Sequence, residues 1–172
     1  HKLGCPVVIE NDVTAAAWGE FMYGAGKDSD SLFAVWIGTG IGGGLILNGQ
    51  VWRGSLGTAG EFGMGISEQD PQGDRRVLEE FSSRSGIRSI SGIPSLSTSE
   101  IGKAFLEQGS PVQSILLEGA SRVGTAIANV ITLLSLDTVV LGGGIVEELG
   151  QPYIDLIRKQ FETDVFPKHC CN

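Results

Sequence analysis

Two kinds of residue in this 172-residue chain could do chemistry together. Carboxylates stand where apolar runs end, and glycines cluster where backbone could meet an anion. Asp12, preceded by Asn11, lies between the apolar run 6–10 and the alanine-rich stretch 13–22. An aspartate there can cap a helix and do nothing more. It can also be a general base that takes the proton from an attacking hydroxyl. Glu61 sits in Gly57-Thr58-Ala59-Gly60-Glu61-Phe62-Gly63, where a carboxylate is either solvated or aimed at a polyol. Glu79, in Val77-Leu78-Glu79-Glu80-Phe81, is open to the same two readings, and taken alone it reads as an exposed helical glutamate.

Five glycines fall within the seven residues Gly38-Thr39-Gly40-Ile41-Gly42-Gly43-Gly44. A tight turn there presents N–H groups to a phosphate that only small residues let near, and Thr39 adds a hydroxyl. The alternative is a glycine-rich hairpin required for packing. The cluster is no dinucleotide fingerprint, which needs a helix opening at its third glycine, and no Gly-Lys-Ser/Thr follows to make a Walker loop. Gly142-Gly143-Gly144 closes the apolar run 137–141. Ligands gather outside the carboxyl ends of such strands, so a base and ribose could lie there; a permissive turn is the plainer reading.

These residues need a scaffold. Hydrophobic spacing predicts strands at 6–10, 32–37, 42–47 and 137–141, with Asn48-Gly49 as a hairpin turn leading to Val51-Trp52. Helices are predicted at 13–22, near 76–83, after the capping box Ser97-Thr98-Ser99-Glu100, over 111–134 with Pro111 in its first turn, and at 153–161. Residues 54–73 read as irregular. The order predicts an α/β fold, a mixed sheet flanked by helices, in a single domain.

Twenty acidic against twelve basic residues give a net charge of −8, which argues against broad binding of nucleic acid or anionic membrane. No apolar run reaches the length of a membrane span. The three cysteines, Cys5, Cys170 and Cys171, form no disulfide framework and read as reduced, cytoplasmic thiols. His169 beside Cys170 and Cys171 is a weak candidate for adventitious metal. The ends look like those of an excerpt from a longer protein.

Three stretches together carry a resemblance: Glu10-Asn11-Asp12 with the helix holding Gly19-Glu20, the turn from Gly38 to Gly44, and Gly60-Glu61-Phe62-Gly63. In order and spacing they resemble the C-terminal, larger part of the ROK family, sugar kinases and sugar-responsive repressors on the actin-like ATPase (RNase H-like) fold. The resemblance implies that Asp12 is the catalytic base. It implies that Asn11, Asp12, Glu61 and Glu79 bind sugar, and that Gly38, Thr39 and Gly40 contact phosphate. Gly142, Gly143 and Gly144 would contact adenosine, with Mg2+ arriving on ATP. Where the family has a histidine followed by a zinc-binding cysteine cluster, this chain has Met64 and a cysteine-free stretch, so no structural zinc is expected. The resemblance leaves two activities open. One is an ATP-dependent sugar kinase. The other is the sugar-sensing part of a transcriptional repressor whose DNA contacts lie outside this chain. Either would be a cytoplasmic homo-oligomer without a membrane partner.

Overall fold

The computed structural model describes residues 4–7 and 9–168. Its organising strand is β1 (Leu32–Ile37), whose side chains alternate between two cores. Leu32 and Ala34 face Ala17 of α1 (Asp12–Tyr23), together with Ile46 and Val140. Phe33, Val35 and Ile37 face the main core on the other side. β2 (Ile41–Leu47) returns antiparallel to β1 in the register Val35↔Gly43. β3 (Gln50–Val51) follows the Asn48-Gly49 turn and flanks β2. Residues 62–64 then make a 3-10 turn (Phe62–Met64).

Next come β4 (Ile66–Gln69) and β5 (Arg75–Val77), which pair as a separate two-stranded hairpin. α2 (Leu78–Ser82), α3 (Arg84–Ser91) and α4 (Thr98–Leu106) lead to α5 (Pro111–Leu134). α5 buries Val112, Leu116, Ala120, Val123, Ile127 and Ile131, a three- and four-residue spacing that puts one face on the core. β6 (Thr138–Gly142) then lies parallel to β1, with Trp36 opposite Gly142. The Asp137 carboxylate joins the two strand starts by accepting from the N–H groups of Asp30 (2.9 Å) and Ser31 (3.2 Å). The sheet order is β3-β2-β1-β6. α6 (Gly144–Asp164) covers it, broken at Gly150 (φ 63°) just ahead of Pro152. α5 and α6 approach closely at Gly124, where a Cβ would lie 2.6 Å from the Ile157 carbonyl oxygen.

The mixed α/β architecture matches the sequence-based expectation, with three local corrections. The described residues of the run 6–10 form no buried strand: Val7 and Ile9 are exposed, and no ladder partner lies beside them among the described residues. A strand needs a neighbour to take its backbone bonds; what holds this run is a side-chain contact, the Arg53 guanidinium donating to the Glu10 carboxylate. The region read as irregular contains β4 and the 3-10 turn. The single helix expected near 76–83 is a strand end, a five-residue helix and then α3, divided at Ser83, whose hydroxyl accepts from the Gly86 N–H at 3.0 Å. The His169, Cys170 and Cys171 cluster lies outside the described residues.

Candidate active site

The carboxyl ends of β1 and β6 point the same way, so Gly38 and Gly143 emerge side by side. Gly143 (φ 94°) needs the absence of a side chain, since a Cβ would sit 2.6 Å from the Ile37 carbonyl oxygen. Beyond it α6 begins with no side-chain cap. Its first amides and the positive end of its dipole therefore face the rim of the sheet.

The turn after β1 is shaped by its hydrogen bonds. The Gly38 and Thr39 carbonyls accept from the first amides of α3, Arg84 N at 2.9 Å and Ser85 N at 3.2 Å, while Gly38 N donates to the Gly40 carbonyl at 2.9 Å. The Thr39 and Gly40 N–H groups are left without a protein acceptor among the described residues. Gly38 has open space where a Cβ would be.

The remaining glycines of the cluster do a different job. A Cβ on Gly42 would strike Val13, one on Gly44 would lie 2.4 Å from the Ala17 Cβ, and Gly43 leaves room for the Gly60 carbonyl, which accepts from Gly43 N at 2.8 Å. They let α1 lie against one face of β2 and the Gly60 loop against the other. The whole cluster is therefore not explained by phosphate; packing accounts for its second half.

This packing fixes the carboxylates. Val13 abuts Gly42 at the start of β2, so the first turn of α1 stands at the same rim as Gly38 to Gly40. Asn11, not Asp12, caps the helix: its Oδ1 accepts from Val13 N (3.0 Å) and Thr14 N (3.1 Å). Asp12 is exposed, its Oδ1 accepting only from Val13 N at 2.9 Å. Asn11 and Glu61 line one cleft of about 100 Å3 with Gly42, Gly43 and Gly60. The Arg53–Glu10 pair walls that cleft, and the guanidinium beside Glu10 holds its carboxyl below its ordinary value. Glu79 is half-buried and not a plain surface glutamate. Its Oε2 accepts from Ile41 N at 2.7 Å, which places the carboxylate on the Gly40 turn.

Sequence reading missed Arg84. Its guanidinium donates to the Thr39 hydroxyl and, at 3.1 Å, to the Thr98 hydroxyl, which puts a fixed positive charge beside the phosphate-type turn. A signal existed: a cation in the first turn of a helix opposes the helix dipole and calls for a local reason.

The structure thus brings Asn11, Asp12, Glu61, Glu79, the Gly38-Thr39-Gly40 turn and Gly142 to Gly144 to one end of the sheet. A groove of about 610 Å3 lies elsewhere, along the outer edge of β6 and α6, and carries none of them.

Comparison with known proteins gives one consistent answer. The ROK family model matches residues 1–172. The bifunctional enzyme NanE/NanK of Brucella melitensis is 34% identical over 160 residues, 91% of this chain and 30% of its own length. A ROK family glucokinase from Streptomyces griseus, solved with glucose and AMPPNP, superposes with a TM-score of 0.78 at 28% identity, covering 96% of this chain and 60% of that one. A ROK family transcriptional regulator, a homologue of the E. coli MLC protein, superposes with a TM-score of 0.80 at 26% identity, covering 96% and 46%. The chain spans three-fifths or less of the length of each of these relatives.

Proposed function

The chain belongs to the ROK family and has its actin-like ATPase fold, and from that premise we propose that it is the C-terminal, larger part of an ATP-dependent sugar kinase. The observation that carries this is the convergence on one rim of an exposed carboxylate, unpartnered turn amides and a second glycine turn opening a helix. A nucleotide's phosphates would take the Thr39 and Gly40 N–H groups and the amides at the start of α6. Its adenosine would lie on Gly142, Gly143 and Gly144. Arg84 adds charge beside the transferring group. Magnesium would arrive on the phosphates of ATP.

Asn11, Glu61 and Glu79 would orient the sugar, the two glutamates offering acceptors to hydroxyl groups and Asn11, whose Oδ1 is taken by the helix cap, offering its amide N–H donors. Asp12 would take the proton from the hydroxyl that attacks the terminal phosphorus. Asn11 frees Asp12 for that task by taking over the helix cap. Phosphoryl transfer depends on positioning and charge stabilisation in a closed cleft. The cleft beside Asn11 holds only about 100 Å3, whereas small-molecule sites enclose roughly 300–1,000 Å3. It is one wall of a site that a second domain completes. ATP as phosphate donor places the protein in the cytoplasm.

The test is Asp12→Asn in the full-length protein. The expected result is a fall in sugar-dependent ATP turnover on the order of 10²–10⁴-fold with sugar affinity kept; unchanged turnover removes the base. A second reading, the sugar-sensing part of a repressor, is supported by the superposition on the ROK regulator. It predicts DNA binding by the full-length protein that sugar relieves, without turnover.

A further inference from the structure

The family resemblance calls for zinc just after the Gly60-Glu61-Phe62-Gly63 motif, and the donors there do not fit it. Structural zinc takes four thiolate or imidazole ligands at about 2.0–2.3 Å. Residues 64–76 contain neither cysteine nor histidine. Met64 is an exposed thioether. The Asp70 carboxylate is engaged in closing the β4–β5 turn, accepting from Gln72 N (3.0 Å) and Asp74 N (2.8 Å). Among the described residues no cluster of three or more His, Cys, Asp or Glu side chains could hold a metal.

We infer that Arg122 of α5 takes over the structural task of that metal and is a positioning residue for the sugar site. Its guanidinium reaches across to the hairpin, donating to the Ser67 hydroxyl (3.2 Å), the Ser67 carbonyl (3.4 Å) and Glu68 Oε2 (2.9 Å). It is anchored on its own helix by Glu118 Oε1, at 3.0 Å from Nε and 2.6 Å from the terminal nitrogen. The register of β4 and β5 slips between Ile66 and Glu68, so Ser67 is the residue the ladder leaves out, and it is the one Arg122 binds.

The Arg122 guanidinium also lies 3.8 Å from the centre of the Phe81 ring, and that of Arg76 of β5 lies 4.0 Å from the same centre. Two guanidinium groups cannot share one face at that distance, so Phe81 of α2 is held between them. Cation–π contact joins hydrogen bonding in one clamp. Three elements are thereby fixed to one another: α5, the β4–β5 hairpin and α2.

These elements carry the sugar-facing carboxylates. β4 begins two residues after the 3-10 turn that Glu61 opens, and β5 runs directly into α2, which carries Glu79. The two ends of the hairpin are tied by Leu78 N donating to the Gly65 carbonyl at 2.9 Å. Loosening the clamp frees the hairpin and with it Glu61, whereas Glu79 stays on the Gly40 turn through Ile41 N, so the two carboxylates lose their spacing while the Thr39 turn and α6 keep their places. The sugar-positioning consequence rests on the kinase reading above; the replacement of zinc does not.

The experiment compares full-length wild type with Arg122→Ala and Arg122→Lys. Elemental analysis of the wild type is expected to find no stoichiometric zinc. Arg122→Ala should raise the KM for sugar about tenfold or more and leave the KM for ATP within about twofold. It should also speed hydrogen exchange at residues 66–77. Arg122→Lys should restore little, because an ammonium lacks the planar fork that serves Ser67, Glu68 and Phe81 together. If Arg122→Ala does not fold, Glu68→Gln, at the exposed end of the clamp, is expected to give the same split in weaker form. One equivalent of bound zinc overturns the inference, and so does unchanged exchange over residues 66–77. A rise in both KM values together overturns the positioning role. A wild type without sugar-dependent turnover defeats the kinase reading alone, since the zinc and exchange measurements still judge the clamp.

Discussion

Single residues divide here into those that hold the rim and those that face out from it, and glycine shows the division best. Gly44 is pressed against Ala17, whereas Gly38 has nothing within 4 Å of where a Cβ would be. Gly44→Ala should therefore lower stability by about 1–3 kcal/mol through overpacking. Gly38→Ala should leave the melting temperature nearly unchanged while weakening nucleotide binding, because its open side is where phosphate would come. Thermal melts and nucleotide titration of both variants separate the two roles. Asp12, Glu61, Gly38 and Gly143 could be named from sequence because their neighbours make a local pattern. The partner of Glu79 could not: Ile41 lies 38 residues away, and only the packing of α2 beside β2 brings them together. The partner of Arg84 was hidden for the same reason, Thr39 being 45 residues distant.

Secondary-structure elements were legible where they are long or capped. α5 announces itself by Pro111 and 24 residues of one-sided apolar spacing, and α4 by Ser97 and Glu100, whose reciprocal hydrogen bonds form as the motif requires. The bounds of α2 and the existence of β5 were illegible because five- and three-residue elements are too short for any period to show; contact with α5 sets the first and pairing with β4 the second. In α6, Tyr153 is fully buried against Phe105, its hydroxyl has no partner among the described residues, and burial pushes its ionisation far up. An unsatisfied buried hydroxyl costs about 1–3 kcal/mol, so Tyr153→Phe should raise the melting temperature. Caps and inter-element ties also set the acid limit. Ser97 beside Glu100, Thr125 beside Asp164 and Arg53 beside Glu10 each hold a carboxyl below its ordinary value. A depressed carboxyl stabilises the fold above its unfolded value and loses that contribution as pH falls through the folded one. Stability should therefore fall below the ordinary values of 4.5 for glutamate and 3.8 for aspartate. Urea midpoints between pH 6 and pH 3 read this directly.

Across the whole molecule, the sheet places its chemistry at one end and its bulk behind it. No helix among the described residues is long and apolar enough to cross a membrane. On the kinase reading the rim is one wall of a cleft, so the 172-residue chain by itself is expected to show no sugar-dependent ATP turnover in a coupled assay, with turnover appearing in the full-length protein. That a groove would run along β6 is not legible in the sequence, because it depends on which strand ends the sheet. β6 has β1 on one side and, among the described residues, no strand on the other. Its outer amides and carbonyls are an unfinished seam, and bare seams recruit whatever extended polypeptide drifts past, another copy included. A segment that paired with β6 would therefore do more than add contacts: it would remove a place from which a fibre could grow.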